Sequence, residues 1–259
     1  MSRAPLFAPR HQLGQPIGET PDWQPHERPM IPGSPATLDM SPGRRLKYGL
    51  VGLLLGLTAS LGTALVTVNL NQIQGELGLS PVQGVWLSSV YVMANVAMNL
   101  LLLKYRQQFG ITRFIKVFLT IYVVAAVAEF FATTYASSLI VRIVSGVTGA
   151  GMTAVTIFYM MQAVPAKYKL QGLLVGIGIT QLGMPLARVI SPILNDHGGW
   201  HSISALEAGL ALASLAGVML VRLPPGMRVH AFERKDILSF LLFAAGLASL
   251  IGVLMVCAL

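Results

Sequence analysis

A chain of 259 residues with 54% hydrophobic and only 11% charged residues is too apolar for an ordinary soluble domain of its length. Its formal net charge of +8 does not point to a nucleic-acid binder, because the basic residues are spread over several short segments and line no single groove with interleaved aromatics. One cysteine, Cys257, excludes an intrachain disulfide framework and a cysteine-built metal site.

The first element in chain order is a segment rich in proline and polar residues, with Pro5, Pro9, Pro16, Pro21, Pro25, Pro29, Pro32, Pro35 and Pro42. Such a composition buries too little apolar surface to offset the entropy of ordering, so residues 1–46 read as a disordered cytoplasmic tail. No apolar stretch follows directly on its first basic residues, so a cleavable signal peptide is not expected. Seven apolar runs follow, at 48–70, 85–103, 116–136, 139–163, 172–194, 203–221 and 237–259. Each is about 19 to 25 residues long, enough to cross a hydrocarbon core of about 30 Å as a helix rising about 1.5 Å per residue. Backbone amides in lipid must be satisfied within their own segment, which makes these runs helices. The expected fold is therefore an all-α integral membrane protein. A six-helix transmembrane bundle occupies 47–221, a cytoplasmic linker 222–236, and a seventh transmembrane helix 237–259.

Charge orients the spans. Of the 18 Lys and Arg residues, all but Arg142 and Arg188 fall before the first run or after the second, fourth and sixth. The segments 71–84, 137–138 and 195–201 carry none. The positive-inside rule then places the N-terminus and the basic loops in the cytoplasm and those three segments outside, in a multi-pass membrane protein. The natural partners of the basic loops are anionic lipid headgroups.

Inside the spans, small residues recur four apart: Gly52, Gly56 and Ser60; Gly146 and Ala150; Gly172, Gly176 and Thr180. Helices in lipid gain little from burying apolar surface against each other, so close approach across small residues supplies their association. The same faces also suit a helix that glides.

Charges inside the spans need a reason. An Arg at a helix centre in lipid costs at least ~2.5 kcal/mol, so Arg142 either faces a polar partner or snorkels toward the interface. Arg188 is a second cation in the bundle, and two carboxylates, Glu129 and Glu207, are available to both. Pairs of Glu129 with Arg142 and of Glu207 with Arg188 are one expectation; a positively charged cavity that favours anionic substrates is the other. Tyr91, Asn95 and Asn99 are four apart and so share a helical face. Together with Asn69 and Asn71 they either supply a cavity with hydrogen-bonding groups or tie helices together. His197 and His201 flank Gly198, Gly199 and Trp200 in an outward loop where a helical ligand spacing is not expected, so no metal is expected there. No nucleophile, base and orienting group recur in a catalytic pattern, so neither an enzyme nor a cofactor is expected.

Several motifs stand in order from Leu61 to Pro225. Asn69 and Asn71 precede Ile73-Gln74-Gly75-Glu76-Leu77-Gly78, and Trp86 and Tyr91 open the second run. This arrangement resembles the major facilitator superfamily, and within it the drug:proton antiporter branch with fourteen spans, which includes the inner-membrane pumps of tripartite efflux systems. Arg142 followed by Gly146, Gly149, Ala150 and Gly151 resembles that family's Arg-containing motif, implicated in proton coupling. The fifth run resembles the antiporter signature through Gly172, Gly176, Gly178, Gly183 and Pro185. The loop after the second run keeps the family's closing glycine as Gly110 and its basic residues as Arg113 and Lys116, but Gln107 stands where the family carries an acid. Gly62 stands where the first span of the family commonly has another.

The resemblance implies a secondary transporter whose substrate binds near the membrane midplane between two six-helix halves that rock against each other. Proton-driven efflux of small amphipathic or aromatic compounds is the implied activity. Its partners are membrane lipid, the small-molecule substrate, protons and a periplasmic adaptor, with no nucleic acid. The implied substrate and proton-coupling residues are Arg142, Arg188, Glu129, Glu207, Tyr91, Asn95, Asn99 and Asn69. Gly110, Arg113, Gly146, Gly183 and Pro185 are the conformational set. Only the N-terminal half of such a protein plus one helix is present, so a truncated chain is expected. The missing acids leave open an alternative, a transport-inactive facilitator-like protein acting as a binding or assembly module.

Overall fold

The structure is a computed structural model that describes residues 7, 12–18, 23, 24, 27–29, 31–36, 38 and 40–257. The described residues are helical with no strand, in the order α1 (Pro42–Val68), α2 (Leu70–Glu76), α3 (Pro81–Phe109), α4 (Ile111–Phe130), α5 (Tyr135–Ala163), a 3-10 turn (Ala166–Tyr168), α6 (Lys169–Gln181), α7 (Gly183–Leu220) and α8 (Arg234–Cys257). Local chemistry sets these limits. A proline opens α1 and α3, where its missing N–H is no loss. Reciprocal capping boxes, Ser80 with Gln83 and Thr134 with Ser137, satisfy the first free amides of α3 and α5. Gly110, at φ +82°, ends α3 and starts α4 in a single residue, a conformation a side chain resists.

Among the described residues, seven segments are long and apolar enough to cross a membrane: Pro42–Val68, Pro81–Phe109, Ile111–Phe130, Tyr135–Ala163, Ala166–Asp196, Gly198–Leu220 and Arg234–Val253. Each contains the greater part of one predicted run. The fifth joins α6 to the first part of α7 across Leu182, where Pro185 removes the N–H that would bond the Gln181 carbonyl. The fifth and sixth are separated within α7 by Gly198 and Gly199, whose backbone leaves the helical region, Gly199 at φ +57°. Two differences from the sequence reading follow. The segment 71–84, expected as a loop, carries α2, and the expected loop 195–201 narrows to this two-glycine break, with His201 already helical.

The first helix is the centre of the bundle, packed on α5, α6 and α7, while α3 and α4 pack on α5, and α4 on α7. Two buried apolar clusters lie along it. One gathers Tyr48, Leu55, Phe114, Phe118, Tyr122 and Tyr159 in the half nearer the basic loops; the other gathers Leu61, Leu65, Ile73, Leu87, Trp200 and Ile203 toward the opposite end. At Gly146 a Cβ would run into the Tyr91 carbonyl of α3, so the α3–α5 seam closes because that position has no side chain.

At the basic end, α8 lies along α3, where Lys104 Nζ meets Asp236 at 2.6 Å. The described part of the N-terminal segment hydrogen-bonds to the stretch between α7 and α8. Gly14, Ile17, Gly33 and Ala36 donate their amides to the carbonyls of His230, Arg228, Met227 and Pro225. The Val229 amide donates to the Gln107 carbonyl, and the Gln108 side-chain oxygen accepts from the amides of Ala231 and Phe232.

Candidate functional site

Five of the spans bring one charged cluster together in the bundle interior. Arg142, in the third turn of α5, is 2% exposed. Its Nη1 lies 3.6 Å from Oε1 of Glu129, at the end of α4, and donates to the Gly62 carbonyl of α1 at 3.2 Å. The guanidinium lies over the Tyr91 ring of α3, 4.6 Å from its centre, a cation–π contact in a dry setting. Nε and Nη2 of Arg142, and Oε2 of Glu129, are buried without partners. On α7, the equally buried Glu207 accepts a hydrogen bond from the Tyr122 hydroxyl of α4 at 2.9 Å. Both groups fill the room beside Gly62: a Cβ there would lie 2.7 Å from Glu207 Oε1 and against the Tyr122 hydroxyl. Thus the first span offers no acid at this level, and the sixth delivers a carboxylate to the space left by the missing side chain.

Next to the cluster lies an open cleft of about 580 Å³, lined by Ser60, Thr63, Tyr91, Asn95, Thr153 and Gln181 among others. Its walls come from the first, second, fourth and fifth spans and mix hydroxyls and amides with apolar surface. Tyr91 belongs to both places, because its ring carries the guanidinium while the residue lines the cleft. A ligand in the cleft therefore touches a side chain that touches the charges.

The expected residues divide accordingly. Arg142, Glu129, Glu207 and Tyr91 converge, and Asn95 lines the cleft beside them. Asn99 points elsewhere and donates to the Asn95 carbonyl of its own helix. Asn69 is a tie between helices: it donates to the Leu65 carbonyl and Ser191 hydroxyl and accepts from Asn195. Arg188 is exposed and forms no ion pair among the described residues, and the partner of Glu207 is Tyr122, so the expected Glu207–Arg188 pair is replaced by a carboxylate–phenol contact. Gly183 lies against the Ser60 backbone, Pro185 follows at the bend in the fifth span, and Gly110 and the exposed Arg113 form the turn between α3 and α4. His201 packs edge-on against Phe130, with ring centres 5.3 Å apart; the His197 side chain lies outside the described residues. Sequence reasoning missed Ser60, Thr63, Thr153 and Gln181 of the cleft and, in the charged cluster, Tyr122. Its only signal was a phenol inside an apolar run, whose buried O–H must find an acceptor.

A buried ion network beside a polar cleft in a bundle of membrane-crossing helices fits the movement of solutes between spans. The family model that describes the Major Facilitator Superfamily matches residues 52–259. A search among curated proteins finds no match. With that match covering all seven spans but the start of the first, the chain belongs to the major facilitator superfamily, a family of multi-pass membrane transporters of small molecules.

Proposed function

We propose that the chain acts in proton-driven efflux of small amphipathic or aromatic compounds, as a member of the drug:proton antiporter branch with fourteen spans. The observation that carries this reading is the imbalance of the buried cluster, in which two carboxylates, Glu129 and Glu207, share one guanidinium, Arg142. A lone buried carboxylate is far costlier than a neutral one, so the cluster rests with one proton bound. Glu129 has the guanidinium beside it, which leaves Glu207, on the Tyr122 hydroxyl, as the proton's holder. An apolar or aromatic ligand entering the cleft presses on Tyr91 and shifts Arg142, whose free Nε and Nη2 then turn toward Glu207, stabilise its carboxylate and let its proton pass to water entering from the open cleft. Substrate and proton thereby exclude each other, as exchange in opposite directions requires.

The basic loops support an orientation with the N-terminus in the cytoplasm of the inner membrane. The same reading divides the chain into a tail at 1–46, a bundle at 47–221 and a linker at 222–236, and leaves the opposite face to a periplasmic adaptor. Flux of an aromatic amphipathic dye in proteoliposomes under an imposed pH gradient tests the proposal. Gradient-dependent flux in the wild type, lost in Glu207→Gln while dye binding persists, is the expected result. Dye binding without flux at any gradient would instead assign the transport-inactive binding or assembly role.

A further inference from the structure

A second cavity of about 480 Å³ lies at the basic end, away from the charged cluster, between the N-terminal segment and the ends of α3, α5 and α6. Its walls are mostly apolar, with Phe158, Met161, Leu170 and Leu173 among them. Arg106 lines it and is only 9% exposed. The guanidinium rests on the Phe158 ring at 4.6 Å, its Nε is buried without a hydrogen-bond partner, and no carboxylate among the described residues lies within ion-pair distance. Lys104, two residues earlier, does have its acid in Asp236. Lys169 also lines the cavity but has an interaction of its own, and Gln162 donates to the Ala36 carbonyl, so the uncommitted group is Arg106.

A buried guanidinium with an idle N–H is costly until an anion meets it, and its planar fork matches phosphate oxygens better than a lysine does. Position selects the anion. Arg106 is in the last turn of α3 at the basic end, the level of lipid headgroups, and the cavity reaches Leu170, which is 70% exposed on the side of the bundle. We infer that this cavity binds an anionic membrane lipid, its phosphate on Arg106 and its glycerol and upper acyl chain against Met161, Leu170 and Leu173. A zwitterionic lipid carries its own ammonium and gains less from the guanidinium.

Native mass spectrometry of the detergent-solubilised full chain, titrated with phosphatidylglycerol and with phosphatidylcholine, tests the inference. Phosphatidylglycerol should bind about tenfold tighter, as one charge-assisted hydrogen bond allows. Arg106→Gln should abolish the preference, and Arg113→Gln, which removes an exposed cation at the same end, should leave it intact. Met161→Trp keeps Arg106 but fills the cavity, so it should lower occupancy by phosphatidylglycerol and decides the matter if Arg106→Gln does not accumulate. Equal binding of the two lipids, an equal loss in Arg113→Gln, or unchanged binding in Met161→Trp would overturn the site. Displacement of phosphatidylglycerol by inorganic phosphate at equal concentration would overturn the lipid and assign a free anion.

Discussion

Replacing Arg142 by methionine, Glu129 by glutamine, and both together, separates what their ion pair does for folding from what it does for transport. At 3.6 Å and an effective dielectric constant of about 20, the attraction between the two charges is about 5 kcal/mol. Each ion lost several kcal/mol of hydration on burial, so the intact pair is near break-even against two apolar side chains of similar volume. A broken pair is different. Arg142→Met leaves Glu129 buried among α4 and α5 with no cation, at a cost of about 3–5 kcal/mol. Glu129→Gln leaves Arg142 with one carbonyl and one aromatic ring, a loss of the same order. The double variant removes both charges, so its destabilisation should fall below the sum of the singles by about 2–3 kcal/mol. Thermal unfolding of the purified protein in one detergent, followed by tryptophan fluorescence and gel filtration, measures this. The double variant should be recovered folded and yet transport nothing, because the guanidinium that links Tyr91 to the carboxylates is gone. Singles that unfold where the wild type does, or a double whose loss is the plain sum, would refute an engaged pair. Flux retained in the folded double variant would refute the role in transport.

Other perturbations follow from the same geometry. Gly62→Ala puts a Cβ 2.7 Å from Glu207 Oε1, and displacing the carboxylate and Tyr122 should cost about 1–3 kcal/mol and lower flux at least ~10-fold; wild-type flux would show that the carboxylate's place beside α1 is immaterial. Gly146→Val forces α3 and α5 apart at the Tyr91 carbonyl and should destabilise by about 1–3 kcal/mol or more, whereas Gly178→Ala, which meets nothing within 4 Å, should be neutral or stabilising by about 0.5–1 kcal/mol; thermal unfolding compares the two. In a Cys257→Ser background, an impermeant maleimide on intact cells should label Ser80→Cys and spare Lys167→Cys, both exposed positions at opposite ends of the bundle, and the reverse pattern would invert the orientation.

Lipid makes the spans easy to read, because a segment that must satisfy its own amides and match about 30 Å of hydrocarbon has few options beyond an apolar helix. The seven runs reappear for that reason. What hydropathy does not register is polar structure between spans. The short helix α2 starts next to Asn69, and the pair Gly198-Gly199 acts through backbone dihedrals that composition does not reveal. Glu129 with Arg142 was legible because the link 131–134 is so short that the end of α4 and the start of α5 have to be neighbours. The other pairing failed on rotation. Arg188 and Glu207 occupy consecutive spans, but the break at Gly198 and Gly199 gives each its own orientation, so one side chain ends outside the bundle and the other within it.

Gly62 shows how far a position-by-position reading carries. A glycine in the place of an acid reads along the chain as the loss of a titratable group from the first span. In space, the absent side chain is what admits Glu207 from the sixth span and Tyr122 from the third, so the level beside Arg142 holds a carboxylate after all. The helix of origin differs, while two acids and one guanidinium still stand together, the guanidinium over Tyr91 and Glu207 on Tyr122. A test of coupling therefore belongs at Glu207. In a Glu207→Ala background, where the carboxylate's share of the room beside Gly62 is vacated and only the Tyr122 hydroxyl still borders it, Gly62→Asp should return a carboxylate to the same space from the opposite wall. Partial recovery of gradient-dependent flux would mean that the location of the acid governs coupling. No recovery, with the double variant folded and binding dye, would mean that the contact between Tyr122 and Glu207 is itself required.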